Sequence, residues 1–181
     1  APTSVTPERA RVAADCWPDF ADMPRPVTTV LIGGNSKTHS LTPDILDHHL
    51  DRLGALPGSL LITASRRSGA QAFHRLGQFA KSRPNTFVWD GEGENPYMAM
   101  LGHADRIVVT QDSVSMISDA TSTGKPVFLL PLAGGSKKFT RFYDHMSALN
   151  AIRPFDERLE SEAYQPLTDA ETVAEAIKSL K

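Results

Sequence analysis

The sequence predicts one α/β domain, in which a doubly wound parallel sheet of five to six strands is covered by helices on both faces. Short apolar segments rich in Val, Ile and Leu alternate with amphipathic segments of helical period from residue 27 onward. Strands that are apolar along their whole length must be buried on both faces, as in parallel sheets joined by right-handed crossovers. The predicted strands are residues 27–32, 60–63, 86–89, 106–110 and 127–130.

Capping residues and prolines mark where the predicted helices begin. Thr6 with Pro7, and Thr42 with Pro43, each place an N-cap residue before a proline in the first helical turn. Thr168 starts the last helix, with an acidic residue at capping-box spacing. The predicted helices cover approximately residues 7–20, 43–53, 68–80, 96–104, 113–123, 137–150 and 168–180.

Length and composition limit the class of protein. The chain has 181 residues, a formal net charge of -2 and 40% hydrophobic residues, which suits one domain with its own core. The near-neutral charge gives no support for nucleic-acid binding, and a single cysteine excludes an internal disulfide framework. No apolar run is long enough to cross a bilayer and no signal peptide is evident, so we expect a cytoplasmic protein. The chain lacks an initiator methionine, which leaves processing or excision from a longer protein open.

The loop after the first strand contains a candidate phosphate site, because such sheets bind ligands beyond the carboxyl ends of their strands. Two glycines allow backbone N–H groups to converge on an anion, and a lysine adds positive charge. The loop is neither a Walker A motif nor a G-x-G-x-x-G turn, and a purely structural strand-to-helix turn is the alternative. Its candidate residues are Gly33, Gly34, Asn35, Ser36 and Lys37.

The loop after the second strand adds Ser65, Arg66 and Arg67 to the candidate phosphate-binding residues. Adjacent arginines at this edge can pair bidentately with a phosphate group. The alternative is a solvated basic loop, especially for Arg67.

After the fourth strand, a loop of small polar residues opens directly onto a predicted helix. The free N–H groups of the first helical turn and the helix dipole favour an anion there. Asp119, about two turns into the helix, can accept hydrogen bonds from ribose hydroxyls; the alternative is a capped helix with a surface acid. The candidate phosphate-binding residues are Gln111, Asp112, Ser113, Ser115 and Met116.

A second Gly-Gly loop follows the fifth strand, with Gly134 and Gly135 before Lys137 and Lys138. One such loop is usually structural, but several on one sheet edge favour a ligand site. The histidines show no ligand spacing, so we expect no metal site, and no G-x-S-x-G elbow supports a hydrolase. The sequence does not identify a catalytic residue.

The segment from Ala104 through Asp119 to Pro131 resembles the donor half of GT-B glycosyltransferases, in particular the N-acetylglucosaminyltransferase of peptidoglycan synthesis. Segments 32–37, 63–67 and 110–116 together resemble still more closely the Elm-type mitochondrial fission protein family. The resemblance runs from about Arg25 to the C-terminus, and its most specific part is residues 110–131.

The resemblance implies a nucleotide-sugar donor site in residues 27–181, with no tightly bound cofactor and a nucleotide diphosphate sugar as the substrate. Asp119 falls where donor domains carry a ribose-binding acid, usually Glu, and the shorter Asp is a departure. Ser113 and Ser115 fall at the diphosphate-binding helix start. The loop that meets the base corresponds to Trp89, Asp90 and Gly91.

The resemblance also implies a missing N-terminal domain, because GT-B enzymes bind the acceptor in a second domain of similar size. Residues 1–26, with one predicted helix, are then a candidate interdomain remnant, and this chain alone is expected to bind but not to turn over. The alternative is a non-catalytic adaptor with peripheral membrane contact. A Rossmann oxidoreductase or epimerase is disfavoured, because both G-x-G-x-x-G and a Tyr-x-x-x-Lys pair are absent.

Overall fold

A computed structural model describes residues 3–156, 158–159 and 164–167. Its main sheet has six parallel strands in the order β4-β3-β1-β5-β6-β8, which confirms the predicted doubly wound α/β class. A second sheet of two short antiparallel strands, β2 and β7, lies apart from it. In chain order the strands are β1 Val27–Ile32, β2 His39–Ser40, β3 Ser59–Ala64, β4 Thr86–Trp89, β5 Arg106–Thr110, β6 Val127–Leu130, β7 Ala133–Gly134 and β8 Arg153–Pro154.

Seven α-helices surround the sheet in the described residues. They are α1 Pro7–Asp15, α2 Pro18–Ala21, α3 Pro43–Gly54, α4 Ala70–Ser82, α5 Tyr97–His103, α6 Val114–Thr121 and α7 Lys137–Ala148. In place of one helix over residues 7–20 the structure has two, separated at Trp17, which has non-helical φ and ψ of -127° and 67°. Trp17 precedes Pro18, and the proline ring disfavours helical conformation in the residue before it. The helix predicted over residues 168–180 lies outside the described residues.

Alternate residues of the central strands point to opposite faces of the sheet, and both faces are buried. On β1, Val30 and Ile32 pack with the apolar residues of α3 and α4, whereas Leu31 packs on the other face with α5, α6 and α7. All six residues of β1 and all six of β3 are buried. Two-sided burial explains why the central strands read as continuous apolar runs.

The N-terminal segment packs against the same domain. Phe20 shares an apolar cluster with Val27 and Met100. At Gly102 in α5, a Cβ atom would lie under 3.0 Å from the carbonyl oxygen of Ala10, so α1 and α5 meet where only glycine fits. Residues 3–26 are therefore part of the packed body.

Candidate functional site

The sheet changes direction between β1 and β5. From β1 the chain first extends the sheet to β3 and β4, then returns to place β5 on the other side of β1. In open α/β sheets, ligands bind at such a switch point, outside the carboxyl ends of the strands. Three loops meet here: the first glycine loop (residues 33–38), the arginine loop (65–69) and the serine loop (111–113).

One buried carboxylate joins these three loops. The side chain of Asp112 is fully buried; its Oδ2 accepts a 2.9 Å hydrogen bond from the Gly34 N–H and a 3.1 Å hydrogen bond from Nη2 of Arg67. The other oxygen, Oδ1, accepts from the Thr110 hydroxyl at 2.7 Å, and Thr110 Oγ1 accepts from the Gly33 N–H at 2.7 Å. The N–H groups of both glycines therefore bond to the domain's own side chains.

The two glycines have a steric role. A Cβ atom at Gly33 would lie under 3.0 Å from the Asp112 carboxyl group, and one at Gly34 under 3.0 Å from the backbone of Arg67 and Ser68. The Ser68 hydroxyl also donates to the Gly33 carbonyl oxygen. Close approach of the three loops thus requires glycine at both positions.

The two arginines of the arginine loop have different environments. Arg67 is held by Asp112, and its Nη1 reaches the Asn35 carbonyl at 3.5 Å, although about half of its side chain is exposed. Arg66 is exposed beside it. The Ser65 hydroxyl is buried and has no hydrogen-bond partner within the described part of the chain. Arg66 is thus better placed than Arg67 to meet a ligand from solvent.

Helix α6 begins at the switch point, as predicted. Ser113 is its N-cap, and its hydroxyl accepts a 3.3 Å hydrogen bond from the Met116 N–H. The next two residues, Val114 and Ser115, are half-buried and exposed, and helix geometry leaves their N–H groups without intrahelical partners. This helix start therefore offers an anion two backbone donors and the positive end of a helix dipole.

Asp119 lies further along α6 and bonds to two hydroxyl groups. Its Oδ1 accepts from Thr3 at 2.6 Å, and its Oδ2 accepts from the Tyr97 hydroxyl at 2.9 Å. Burial, together with the nearby Asp119 charge and this hydrogen bond, raises the pKa of Tyr97 well above its ordinary value. Each carboxylate oxygen of Asp119 thus already accepts one hydrogen bond from the protein.

The two glycine loops are joined by the small sheet. In it, His39 pairs with Gly134 and Ser40 with Ala133, and the Gly135 N–H donates to the Thr38 carbonyl at 2.7 Å. Gly134 has φ of +99°, and a Cβ there would lie under 3.0 Å from the Thr38 oxygen. The structure therefore brings the loops after β1 and β6 together, with Lys37, Lys137 and Lys138 exposed around them.

The predicted base loop lies at the far edge of the sheet. Trp89 ends β4, which is three strands from β5, a separation of about 14 Å at the usual strand spacing. The Trp89 indole donates to the Glu92 carbonyl at 2.9 Å, and the Asp90 carboxylate accepts from the Glu92 N–H. Asp90 and Gly91 are exposed. The structure does not bring Trp89, Asp90 and Gly91 close to the start of α6.

Two small cavities flank the switch point. One, of about 180 Å³, lies behind the first glycine loop and includes Asn35, Gln71 and Arg75 in its wall. The other, of about 210 Å³, lies between α3, α7 and β8 and includes Arg52 and Tyr143. Both are smaller than the roughly 300–1,000 Å³ of small-molecule pockets. A whole nucleotide would therefore have to lie in the open crevice above the loops.

Three residues that bond to the carboxylates of the site, Thr3, Tyr97 and Thr110, are absent from the site residues predicted from the sequence. Thr3 and Tyr97 are isolated hydroxyl residues that reach Asp119 through tertiary structure, and Thr3 is 116 residues away from Asp119 in sequence. For Thr110 a local signal existed, because it stands at the end of a strand two residues before Asp112.

In the described residues, no group of three His, Cys, Asp or Glu side chains is placed to bind a metal ion. Nor does any helix there have the length and apolar character needed to span a membrane.

A doubly wound parallel sheet with polar loops and a helix start at its switch point defines the class of Rossmann-like α/β domains. Within that class, the chain belongs to the mitochondrial fission ELM1 family, whose family model matches residues 1–180. This match confirms the family resemblance found in the sequence.

The chain is 34% identical over 175 residues to mitochondrial fission protein ELM1 of Arabidopsis thaliana, covering 93% of this chain and 41% of the relative. It is also 34% identical over 171 residues to the uncharacterized protein RP120 of Rickettsia prowazekii, covering 83% and 46%. The chain thus spans less than half the length of both relatives. Among solved structures, Acinetobacter baumannii MurG aligns with a TM-score of 0.49 and 17% identity, covering 86% of this chain and 47% of that one.

Proposed function

We propose that this chain is the nucleotide diphosphate sugar-binding domain of a GT-B-like protein. The observation that carries the proposal is the start of α6 at the switch point, where helix geometry leaves the N–H groups of Val114 and Ser115 without intrahelical partners. Phosphate bound there would gain from the helix dipole and from two backbone donors. Asp119, on the same helix, would accept hydrogen bonds from the ribose.

The cations around the loops support a diphosphate ligand. Arg66, Lys37, Lys137 and Lys138 are exposed at the carboxyl edge of the sheet, whereas the carboxylate of Asp112 is buried and paired with Arg67. Because the N–H groups of both glycines already bond internally, we assign the phosphates to the α6 start and to these exposed cations. The glycine loop would then shape the site rather than bind the anion.

If a protein with the full length of the relatives (a family-length protein) transfers a sugar, the nucleotide diphosphate would be the leaving group. Its bond to the sugar would break while negative charge grows on the phosphate oxygens, and Arg66 with the α6 start would stabilise that charge. The acceptor site and the catalytic base would come from the part of a family-length protein outside this chain. The chain alone would then bind the donor without turning it over.

Replacing Val114 by proline tests the helix start directly. Proline is well tolerated at the first helical position, and Ser113 before it, with φ of -120° and ψ of 96°, lies outside the helical region that a following proline disfavours. V114P removes one N–H donor, while V114A is the matched control that shortens the same side chain and keeps the N–H. We expect calorimetric titration with uridine and guanosine diphosphates to show weaker binding by V114P than by V114A. Absence of binding at millimolar nucleotide, for this chain and for a family-length protein, would overturn the proposal.

A second candidate function is a non-catalytic adaptor that retains the fold. The internal bonding of the site favours it: Asp112 bonds to Gly34 and Arg67, and Asp119 bonds to Thr3 and Tyr97. Such an adaptor would act at a membrane surface through its basic loops. Sedimentation with anionic phospholipid vesicles that is lost in a K137E/K138E variant, together with no nucleotide binding, would support the adaptor over the donor domain.

A further inference from the structure

Two protein hydroxyls bind Asp119 as the diol of a ribose would. Thr3 donates to one carboxylate oxygen at 2.6 Å and Tyr97 to the other at 2.9 Å. A ribose offers the same chemistry, since its two neighbouring hydroxyls can each donate to one oxygen of a carboxylate. Asp119 is thus already bound by a protein substitute for the diol.

The two donors differ in how firmly they are held. Tyr97 is the first residue of α5, and its ring packs against the apolar cluster shared by α6 and β5. Thr3 precedes α1 in a segment without helix or strand, and its hydroxyl also accepts a 2.9 Å hydrogen bond from the Val5 N–H. Moving Thr3 requires only local rearrangement, whereas moving Tyr97 would open the core. Thr3 is therefore the displaceable donor.

We propose that Thr3 competes with the ribose of a nucleotide for Asp119, so that the N-terminal segment weakens nucleotide binding until it is displaced. The inference rests on the nucleotide-binding function proposed above and adds a regulatory contact to that site. Anything that draws the N-terminal segment away from α6, such as a partner domain, would then raise nucleotide affinity.

The test compares three variants of the 181-residue chain by calorimetric titration with uridine and guanosine diphosphates. T3V removes the hydroxyl with little change of shape, T3S keeps a hydroxyl, and S4A removes the neighbouring exposed hydroxyl. Since one net hydrogen bond corresponds to a factor of roughly five in affinity, T3V is expected to bind about five-fold more tightly than the wild type. T3S and S4A are expected to bind like the wild type.

A second series uses the 2′,3′-dideoxynucleoside diphosphates, which lack the ribose hydroxyls. The gain from T3V must disappear with these ligands if Thr3 and the ribose compete for the same oxygen. An equal gain with the dideoxy ligands, or equal dissociation constants for wild type and T3V, overturns the inference while leaving nucleotide binding in place. If neither protein binds any of the nucleotides at millimolar concentration, the proposed function fails and the inference fails with it.

Discussion

Gly33 and Asp112 lie so close that a Cβ atom on the glycine would be under 3.0 Å from both carboxylate oxygens. The G33A variant must therefore move the buried carboxylate or the loop, and overpacking of this kind costs about 1–3 kcal/mol. We expect D112A to be destabilising too, because it leaves the Gly34 N–H and the Thr110 hydroxyl without their acceptor.

A thermodynamic cycle separates these two effects. In the G33A/D112A double variant the carboxylate that would clash is absent, so the loss of unfolding free energy should be smaller than the sum of the single losses. Urea unfolding followed by circular dichroism measures all four proteins. Strict additivity would contradict the contact between the two residues.

Because His49 is buried, the free energy of unfolding should depend on pH below pH 7. The Nε2–H of His49 donates to the Pro131 carbonyl at 2.7 Å, and its Nδ1 is buried. Burial lowers the pKa of His49 below 6.5; the hydrogen bond to Pro131 opposes this shift, and His48 and Arg52 add smaller lowering effects. As pH falls below 6.5, His49 therefore binds more protons in the unfolded chain than in the folded protein. Stability from this group is fully present above pH 6.5 and is lost as pH falls towards the lowered pKa.

Glutamine is the informative replacement for His49, because its amide can donate to Pro131 and has no proton to gain. H49Q should show a smaller loss of unfolding free energy between pH 7 and pH 5 than the wild type. Some dependence will remain, since burial also lowers the pKa of His39 despite the nearby Asp112. Identical pH profiles for the two proteins would show that His49 does not contribute.

The prediction of the fold from the sequence succeeded where the information is local. Five apolar runs are recognisable without knowing what packs on them; four of them are buried on both faces, and the fifth, the edge strand β4, is half-buried. The sixth strand, β8, has only two residues, Arg153 and Pro154, and pairs in parallel with β6. No hydrophobic pattern marks so short a strand.

The candidate site was predictable in its position but not in its bonding. Parallel strands carry their loops to one edge, so residues after β1, β3, β5 and β6 were expected to meet. The pairing of His39 with Gly134, and the use of Gly34 to bind Asp112, depend on how loops far apart in sequence approach one another. A single sequence does not distinguish a glycine whose N–H group binds an anion from a glycine that is required because two loops pack closely.

Lys125 should make the protein more stable as the solution becomes alkaline. Its ammonium donates to the carbonyls of Leu101 and Gly102 at the end of α5, and burial lowers its pKa to about 8, partly offset by Asp105. Between pH 8 and pH 10.5 the unfolded chain binds the extra proton, so unfolding free energy rises with pH there. A shift of this size corresponds to at most about 3 kcal/mol.

The window for this measurement is pH 8 to 10. Above it the tyrosines of the unfolded chain ionise, while burial holds the pKa of Tyr143 and Tyr164 well above 10 in the folded protein, and stability falls again. K125M should flatten the rise between pH 8 and 10, whereas K138M, at an exposed position, should leave it unchanged. Equal slopes for K125M and wild type would contradict the assignment.

Gly102 offers a test of how the N-terminal segment is held. Exchanging glycine for alanine inside a helix usually stabilises a protein by about 0.5–1 kcal/mol. At Gly102 the sign should reverse, because the new Cβ would lie under 3.0 Å from the Ala10 carbonyl oxygen and from the Ala14 Cβ. G77A is the matched control, since Gly77 lies inside α4 and a Cβ atom added there would have no neighbouring atom within 4 Å.

The shift of α1 caused by G102A should be detectable by fluorescence and should lower the free energy of unfolding. Trp17 stacks on Phe20 with ring centroids 5.3 Å apart, directly after α1, so a shift of that helix should change the tryptophan fluorescence. We expect the altered spectrum and a lower unfolding free energy in G102A, and neither in G77A. Since Thr3 precedes the same helix, G102A should also weaken the contact between Thr3 and Asp119, and its nucleotide affinity should change in the same direction as that of T3V. A stabilised G102A with an unchanged spectrum would show that α1 does not pack on α5 in solution.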